Sequence, residues 1–131
     1  MNHYYLIFGM RFSKQREIIK EIVYSTNTHP TADWVYTKAK VSLPNISLGT
    51  VYRNLKQLVD KGFIRIVYDG SLARYDWNTK PHDHLKCLIC GEMIDAILYK
   101  NRLIEVGKTI YNFEVSDAEI TLIGKCNKHN K

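Results

Sequence analysis

The sequence predicts an α+β protein in which three helices and a β-hairpin are followed by a smaller α+β region. The first half has apolar residues at helical spacing in three successive segments, and the second half has short β-rich runs around one helical segment. We place a hinge at residues 79–81, between an N-terminal region at 1–78 and a C-terminal region at 82–131. A chain of 131 residues is long enough for two small domains of this kind.

Caps and apolar spacing define the first two helices. Ser13 can accept a hydrogen bond from a backbone N–H of the first turn, at the start of a helix that runs to about Ser25. The segment His29-Pro30-Thr31 breaks the pattern, and Thr31 caps a second helix. The apolar residues on one face of these helices are Ile18, Ile19, Ile22 and Val23 in the first, and Val35, Tyr36 and Ala39 in the second.

The third helix is predicted to begin at Ser47 and to end at Gly62. Its two faces carry an apolar stripe of Val51, Leu55, Leu58 and Val59 and an opposite set of Thr50, Tyr52, Arg53, Lys56 and Gln57. Two β-rich runs at 63–68 and 72–77 follow, joined by Asp69-Gly70-Ser71, a strong hairpin signal. This order predicts a winged helix, whose third helix enters the major groove of double-stranded DNA.

The C-terminal region is predicted to be a small α+β unit. Strands are expected near 85–88 and 93–96, a helix at about 99–110, and a final strand or hairpin at 113–123. So short a unit buries little apolar surface, and we expect it to depend on zinc and on pairing with a second copy of the chain.

The positive charge lies in the first half. Residues 1–80 contain twelve Lys/Arg and six Asp/Glu, whereas residues 81–131 contain seven of each. The surplus favours a polyanionic partner for the N-terminal region, although an incidental basic surface would give the same count.

Cysteine usage and hydropathy indicate the compartment. Three cysteines cannot all pair, and an odd count with a close Cys-x-x-Cys favours a reducing compartment and metal over disulfides. The apolar stretch at residues 4–9 is too short for a membrane span and lacks the features of a signal peptide. We therefore expect a cytoplasmic protein that does not contact the membrane.

The spacing Cys87-x-x-Cys90 allows both thiolates to reach one ion from a tight turn, and Gly91 permits the bend. Cys126-x-x-His129 offers two further ligands at the same spacing, which would complete a structural Zn²⁺ site of three cysteines and one histidine. The alternative is an isolated Cys-x-x-Cys with a separate terminal thiol. His129 is the weaker ligand because it lies in a Lys-rich tail.

A second candidate metal site combines histidines with carboxylates. His82 and His84 point to the same side of a strand and can share an ion. Asp76 and Asp95 flank them, and His29 is a further candidate. Any one of these residues alone would more often be structural, but together they suit iron, manganese or zinc. Because these ligands come from both sides of the hinge, metal binding would set the angle of the DNA-binding region.

The chain resembles the ferric uptake regulator family of bacterial metal-dependent repressors. The matching segments are His29-Pro-Thr-Ala-Asp, Ile46-Ser-Leu-Gly-Thr-Val-Tyr-Arg-Asn-Leu, Arg74-Tyr-Asp and His82-Asp-His-Leu-Lys-Cys-Leu-Ile-Cys-Gly. The resemblance implies a homodimeric winged-helix repressor rather than an enzyme. It implies DNA contacts by Tyr52 and Arg53, with Thr50, Lys56 and Arg16 as further candidates, and a regulatory metal at His29, Asp76, His82, His84 and Asp95.

Asp95 points to one branch of that family. The peroxide-responsive branch tends to have aspartate at this position, where iron-sensing members usually have glutamate. The resemblance implies that bound Fe²⁺ reacts with hydrogen peroxide, that His29 or His82 is oxidised, and that DNA is released. Bound Mn²⁺ would support repression but resist peroxide. The alternative within the family is an iron- or zinc-responsive repressor of metal uptake genes.

Two readings from other classes remain open. The same His/Asp set could serve a non-haem iron oxygenase or a metal hydrolase, although a catalyst has no need for Tyr52 and Arg53 on a basic helix. A zinc-stabilised DNA-binding protein without sensing is also possible. The sequence departs from the family pattern at Ser13-Lys14, at a short N-terminus, and at Cys126-x-x-His129, where a second Cys-x-x-Cys is usual.

Overall fold

The computed structural model describes residues 12–130, which form two compact units divided between Thr79 and Lys80. The apolar stretch at residues 4–9 and the question of a helix before Ser13 lie outside the described residues. Within residues 12–130, no helix combines the length and the hydropathy that a membrane span requires.

The N-terminal unit contains the three predicted helices and the hairpin. The elements are α1 (Lys14–Tyr24), α2 (Ala32–Ser42), α3 (Leu48–Asp60), β1 (Arg65–Asp69) and β2 (Leu72–Asp76). The side chains of Ser13, Thr31 and Ser47 cap the helices, and each accepts from a backbone N–H three residues later. The predicted caps and the α+β class are therefore confirmed.

The helices and the hairpin share one apolar core. Ile19, Val35, Val51 and Leu55 are fully buried, and Tyr75 brings β2 into the same cluster. Each fully buried aliphatic side chain stabilises the fold by roughly 1.5–3 kcal/mol. Because the apolar stripe of α3 is packed inside, its opposite face is held outward on a rigid support.

The hairpin has a two-residue loop. Asp69 pairs with Leu72, so Gly70 and Ser71 form the turn, and Gly70 has φ 61°. A positive φ at the first loop position alone is typical of a type II′ turn, which places glycine there.

The C-terminal unit contains β3 (Asp83–Cys87), β4 (Met93–Ala96), α4 (Asn101–Thr109) and β5 (Thr121–Gly124). Its sheet has the order β4-β3-β5, with β4 antiparallel and β5 parallel to β3. The prediction of a strand or hairpin over 113–123 was wrong in extent, since only Thr121–Gly124 is a strand. Parallel pairing joins residues far apart in sequence and has no local signal.

This unit buries few apolar side chains. Among residues 80–130 the buried hydrophobic residues are Cys87 and Met93. Large apolar side chains are instead exposed on the sheet and around α4; they include Ile94, Ile97, Tyr99, Leu103, Ile110, Phe113 and Leu122. The unit therefore depends on something other than its own core for stability, in line with the expected zinc and pairing.

The buried carboxylate of Asp83 anchors β3. The sequence pattern did not predict that this side chain is buried. Asp83 is 2% exposed and accepts hydrogen bonds from the backbone N–H groups of Leu98 (3.0 Å) and Ile120 (2.9 Å) and from Lys100 Nζ (3.2 Å). Burial alone would raise the pKa of Asp83, but these donors outweigh it and hold the pKa below its ordinary value. The carboxylate thus ties β3 to the segments before α4 and β5.

Candidate metal and DNA-binding sites

The C-terminal unit brings the four predicted zinc ligands together. One ligand atom from each of Cys87, Cys90, Cys126 and His129 lies within 4.8 Å of the others. The Sγ atoms of Cys90 and Cys126 are 3.9 Å apart, and His129 Nδ1 is 3.9 Å from Cys87 Sγ and 3.1 Å from Cys126 Sγ. A tetrahedral zinc site has ligand–ligand edges of about 3.6–3.8 Å, so this donor set fits zinc.

The surroundings of Cys87 favour its deprotonated form, the thiolate. Its Sγ accepts hydrogen bonds from the backbone N–H groups of Cys126 (3.3 Å) and Ile89 (3.4 Å). Backbone donors, Cys126 foremost, lower the pKa of Cys87 to about 5. Burial raises the pKa of Cys126 to about 11, so metal binding at that thiol must displace a proton.

In the N-terminal unit, His29 and Asp76 form a pair. His29 Nε2 is 3.3 Å from Asp76 Oδ2, and Asp76 Oδ1 accepts from the backbone N–H of Asn78 at 2.9 Å. His29 has φ 55°, a left-handed conformation that costs a non-glycine residue on the order of 1 kcal/mol. The surrounding contacts must therefore hold it there.

Three hydrogen bonds join the His29 loop to the end of β2. The N–H of Tyr75 donates to the Pro30 carbonyl (2.8 Å), and Arg74 Nη1 donates to the His29 carbonyl (3.1 Å). The indole Nε1 of Trp77 donates to Asn27 Oδ1 (2.8 Å). Since His29 and Asp76 lie on the two segments that these bonds connect, the bonds set the distance between the two side chains.

In the C-terminal unit, His82, His84 and Asp95 form a triad. Asp95 Oδ1 is 3.0 Å from His82 Nε2 and 3.5 Å from His84 Nε2. The two imidazole rings have centroids 4.5 Å apart, and the register of β3 and β4 sets His84 opposite Asp95. His82 directly precedes β3, and the distance between the rings shows that its imidazole lies beside that of His84.

The orientation of His82 suits a metal ligand. Its Nδ1 lies 2.6 Å from the Lys80 carbonyl oxygen, which can only accept a hydrogen bond. A hydrogen on Nδ1 would donate to this oxygen, and Nε2 is then the ring nitrogen whose lone pair a metal could use. In each unit histidine Nε2 atoms lie close to a carboxylate oxygen, and such nitrogen and oxygen donors fit a divalent cation of the iron, manganese or zinc type.

The outward face of α3 carries most of the predicted DNA-binding residues. Tyr52 is 48% exposed, and Arg53 and Lys56 are also exposed. Arg53 Nη2 donates to Thr50 Oγ1 at 2.9 Å, and Lys56 Nζ lies 2.9 Å from Asp60 Oδ2. An exposed helix face with an aromatic ring and two cations is what major-groove contact requires.

Arg16 differs from the other predicted DNA-binding residues. Its side chain is 8% exposed, and its Nη1 donates to Gln57 Oε1 of α3 at 3.4 Å. Arg16 on α1 therefore contacts α3. Its side chain does not have the exposed position that we expect of a DNA contact.

A winged helix followed by a unit with clustered metal ligands defines a metal-responsive DNA-binding regulator. The chain belongs to the ferric uptake regulator family, whose sequence pattern matches residues 8–123. The peroxide-responsive repressor PerR of Staphylococcus aureus is 33% identical over 120 residues, which cover 90% of this chain and 81% of that protein. Proteins of this family are transcription regulators.

Solved structures show the same architecture. The Helicobacter pylori ferric uptake regulator Fur, described with three functional metal-binding sites, has a TM-score of 0.82 and 28% identity, covering 98% of this chain and 87% of that one. PerR from Streptococcus pyogenes, described in terms of peroxide sensing and gene regulation, has a TM-score of 0.53 and 26% identity, with coverages of 98% and 89%.

Proposed function

We propose that this protein is a homodimeric, metal-dependent transcriptional repressor that senses hydrogen peroxide and leaves its operator when a ligand histidine is oxidised. The observation that carries this proposal is the triad of the C-terminal unit, in which one aspartate oxygen lies within 3.5 Å of two histidine Nε2 atoms. The likeness to the peroxide-responsive repressor of Staphylococcus aureus supports it.

The regulatory metal is Fe²⁺ or Mn²⁺, and its ligands are His29, Asp76, His82, His84 and Asp95. Three nitrogen and two oxygen donors suit these ions. With Fe²⁺ bound, one oxygen atom of hydrogen peroxide would be added to a ligand histidine and the other would leave as water, whereas bound Mn²⁺ would not support this oxidation. The chain keeps His29 and His82 in place through the Arg74 and Lys80 contacts described above. One of these two histidines, His29 or His82, is the residue that becomes oxidised.

A second ion, Zn²⁺, is structural. Cys87, Cys90, Cys126 and His129 hold it beyond the ends of β3 and β5. Because this unit buries so few apolar side chains, zinc and the second copy of the chain supply the stability that its own core lacks.

DNA is bound by α3 and by the wing, which is the hairpin formed by β1 and β2. Tyr52 and Arg53 are the main contacts to the major groove, with Thr50 and Lys56 beside them. In a homodimer two such helices face two half-sites, and metal binding favours the arrangement that matches their spacing.

The experiment is operator binding by protein loaded with Fe²⁺ or with Mn²⁺, measured before and after anaerobic addition of peroxide. Release with Fe²⁺ alone, together with the gain of one oxygen atom on the peptide of His29 or His82, is the expected result. An Fe²⁺-loaded protein that keeps both histidines unmodified and stays on the operator would contradict the proposal.

An iron- or zinc-responsive repressor of metal uptake genes is the second candidate. The likeness to the Helicobacter pylori ferric uptake regulator favours it. Under this reading Fe²⁺ or Zn²⁺ strengthens operator binding, and peroxide changes neither the binding nor the mass of the histidine peptides.

A further inference from the structure

The side chain of Arg74 connects the wing to the loop that carries His29. Its Nε donates to Asp69 Oδ2 at 3.0 Å, and its Nη1 donates to the His29 carbonyl oxygen at 3.1 Å. Arg74 and Asp69 have side-chain exposures of 15% and 11%, so water does not readily replace either contact. Asp69 is the last residue of β1 and directly precedes the turn at Gly70.

The contact with His29 constrains an unusual backbone. His29 has φ 55°, and the guanidinium of Arg74 binds its carbonyl oxygen in this left-handed conformation. Loss of that bond would weaken the restraint on the His29 backbone and therefore on the position of its imidazole relative to Asp76. The reverse also holds, because an imidazole fixed by a metal keeps its own carbonyl in place for Arg74.

We propose that Arg74 is a positioning residue that couples metal binding at His29 and Asp76 to the order of the wing. This inference rests on the proposed regulatory metal. When the metal holds His29, Arg74 has both anchors, and Asp69 keeps the turn at Gly70–Ser71 in one conformation. When His29 is released or oxidised, Arg74 loses one anchor and the wing becomes more mobile. The ion thereby acts on DNA binding within a single N-terminal unit.

Two variants separate the two ends of this connection. Asp69→Ala removes the wing end and leaves the Arg74 bond to His29 available. Asp69→Asn keeps one acceptor oxygen for Arg74 Nε and is expected to weaken the wing end without removing it. Arg74→Lys keeps the charge, but an ammonium group lacks the fork of donors that reaches two partners at once. Glu17→Gln is the matched control, since Glu17 forms an ion pair with Lys20 at 3.7 Å on α1 and away from the wing.

The experiment measures amide hydrogen exchange in residues 69–72 of the full-length dimer, with and without Mn²⁺, together with the Kd for Mn²⁺. In the native protein and in Glu17→Gln, Mn²⁺ should slow exchange in these residues. In Asp69→Ala, Mn²⁺ should bind within about twofold of the native Kd without slowing exchange there. In Arg74→Lys, the Kd for Mn²⁺ should rise by about tenfold or more, as for other residues that orient a metal ligand.

A merely structural role for Arg74 would change wing exchange equally with and without metal. Slowing by Mn²⁺ that persists in both Asp69 variants, or an unchanged Mn²⁺ Kd in Arg74→Lys, would overturn the inference while the proposed repressor stands. A native protein that binds neither Mn²⁺ nor Fe²⁺ would overturn both.

Discussion

His84 on β3 lies directly opposite Asp95 on β4, and the same Asp95 oxygen that is 3.5 Å from His84 Nε2 is 3.0 Å from His82 Nε2. One carboxylate oxygen thus lies close to two imidazoles, one on the neighbouring strand β3 and one directly before it. The position of that oxygen depends on the length of the side chain, and a glutamate side chain is one methylene group longer than an aspartate side chain.

We expect Asp95→Glu to keep metal-dependent operator binding but to blunt the response to peroxide. The added methylene displaces the carboxylate relative to the two imidazoles, which changes how the ion is held without removing a ligand. Operator binding before and after anaerobic peroxide, with Fe²⁺ loaded, measures the effect. Oxidation of His29 or His82 at the native rate in Asp95→Glu would contradict it.

Asp76→Ala and His84→Ala test whether the His/Asp ligands regulate DNA binding at all. Each variant removes one ligand and should raise the Kd for Mn²⁺ by more than about tenfold. Loss of a residue that only hydrogen-bonds to a ligand already has an effect of that size. Operator binding should then no longer respond to Mn²⁺. If both variants bind the operator as the native protein does, the chain is a zinc-stabilised DNA-binding protein without a sensor.

Local signals in the sequence were sufficient for the N-terminal unit. Ser13, Thr31 and Ser47 cap helices as predicted because capping and apolar spacing depend on residues three or four apart. The hairpin was also recognisable from Asp69-Gly70, although its loop is Gly70-Ser71, one residue shorter than the predicted Asp69-Gly70-Ser71.

The features that the sequence did not reveal depend on distant partners. Asp83 lies between His82 and His84, so alternation indicates that it faces the other side of the strand. Its burial becomes understandable only with Lys100 and the N–H groups of Leu98 and Ile120 in place. The parallel pairing of β5 and the link from Arg74 to His29 are likewise set by tertiary structure.

Asp83→Asn should destabilise the C-terminal unit. An amide presents only one acceptor oxygen, and its NH₂ group would face donors, so at least one of the buried N–H groups or Lys100 would lose its partner. Urea unfolding of the zinc-loaded protein at fixed concentration should show a lower midpoint. Asp117→Asn is the control, because Asp117 is exposed and accepts only from the N–H of Ala118. Equal midpoints for the two variants would show that the buried carboxylate is dispensable.

The zinc ligands should differ in how much each contributes. Cys87→Ser should abolish zinc binding. The Cys87 sulfur is buried and accepts hydrogen bonds from two backbone N–H groups, and a serine hydroxyl cannot replace a thiolate as the zinc ligand at this position. His129→Ala should still bind zinc through three thiolates but release it to a chelator at least about tenfold faster. Zinc content and release rate, with Lys128→Ala as the control in the same tail, measure both. Identical release from His129→Ala and the native protein would remove His129 from the site.

Arg53 and Lys56 should affect DNA binding in different ways, although both are exposed cations on α3. Thr50 Oγ1 accepts from Arg53 Nη2 and fixes the guanidinium, which favours a directed contact with a base edge. Arg53→Ala should therefore weaken operator binding by about 1–3 kcal/mol and leave binding to unrelated DNA less affected. Lys56 is held only by the exposed Asp60, so Lys56→Ala should weaken binding to all sequences alike and reduce the salt slope by about 1. Affinities for operator and unrelated DNA across a salt series separate the two effects, and a uniform loss in Arg53→Ala would assign Arg53 to the phosphate backbone.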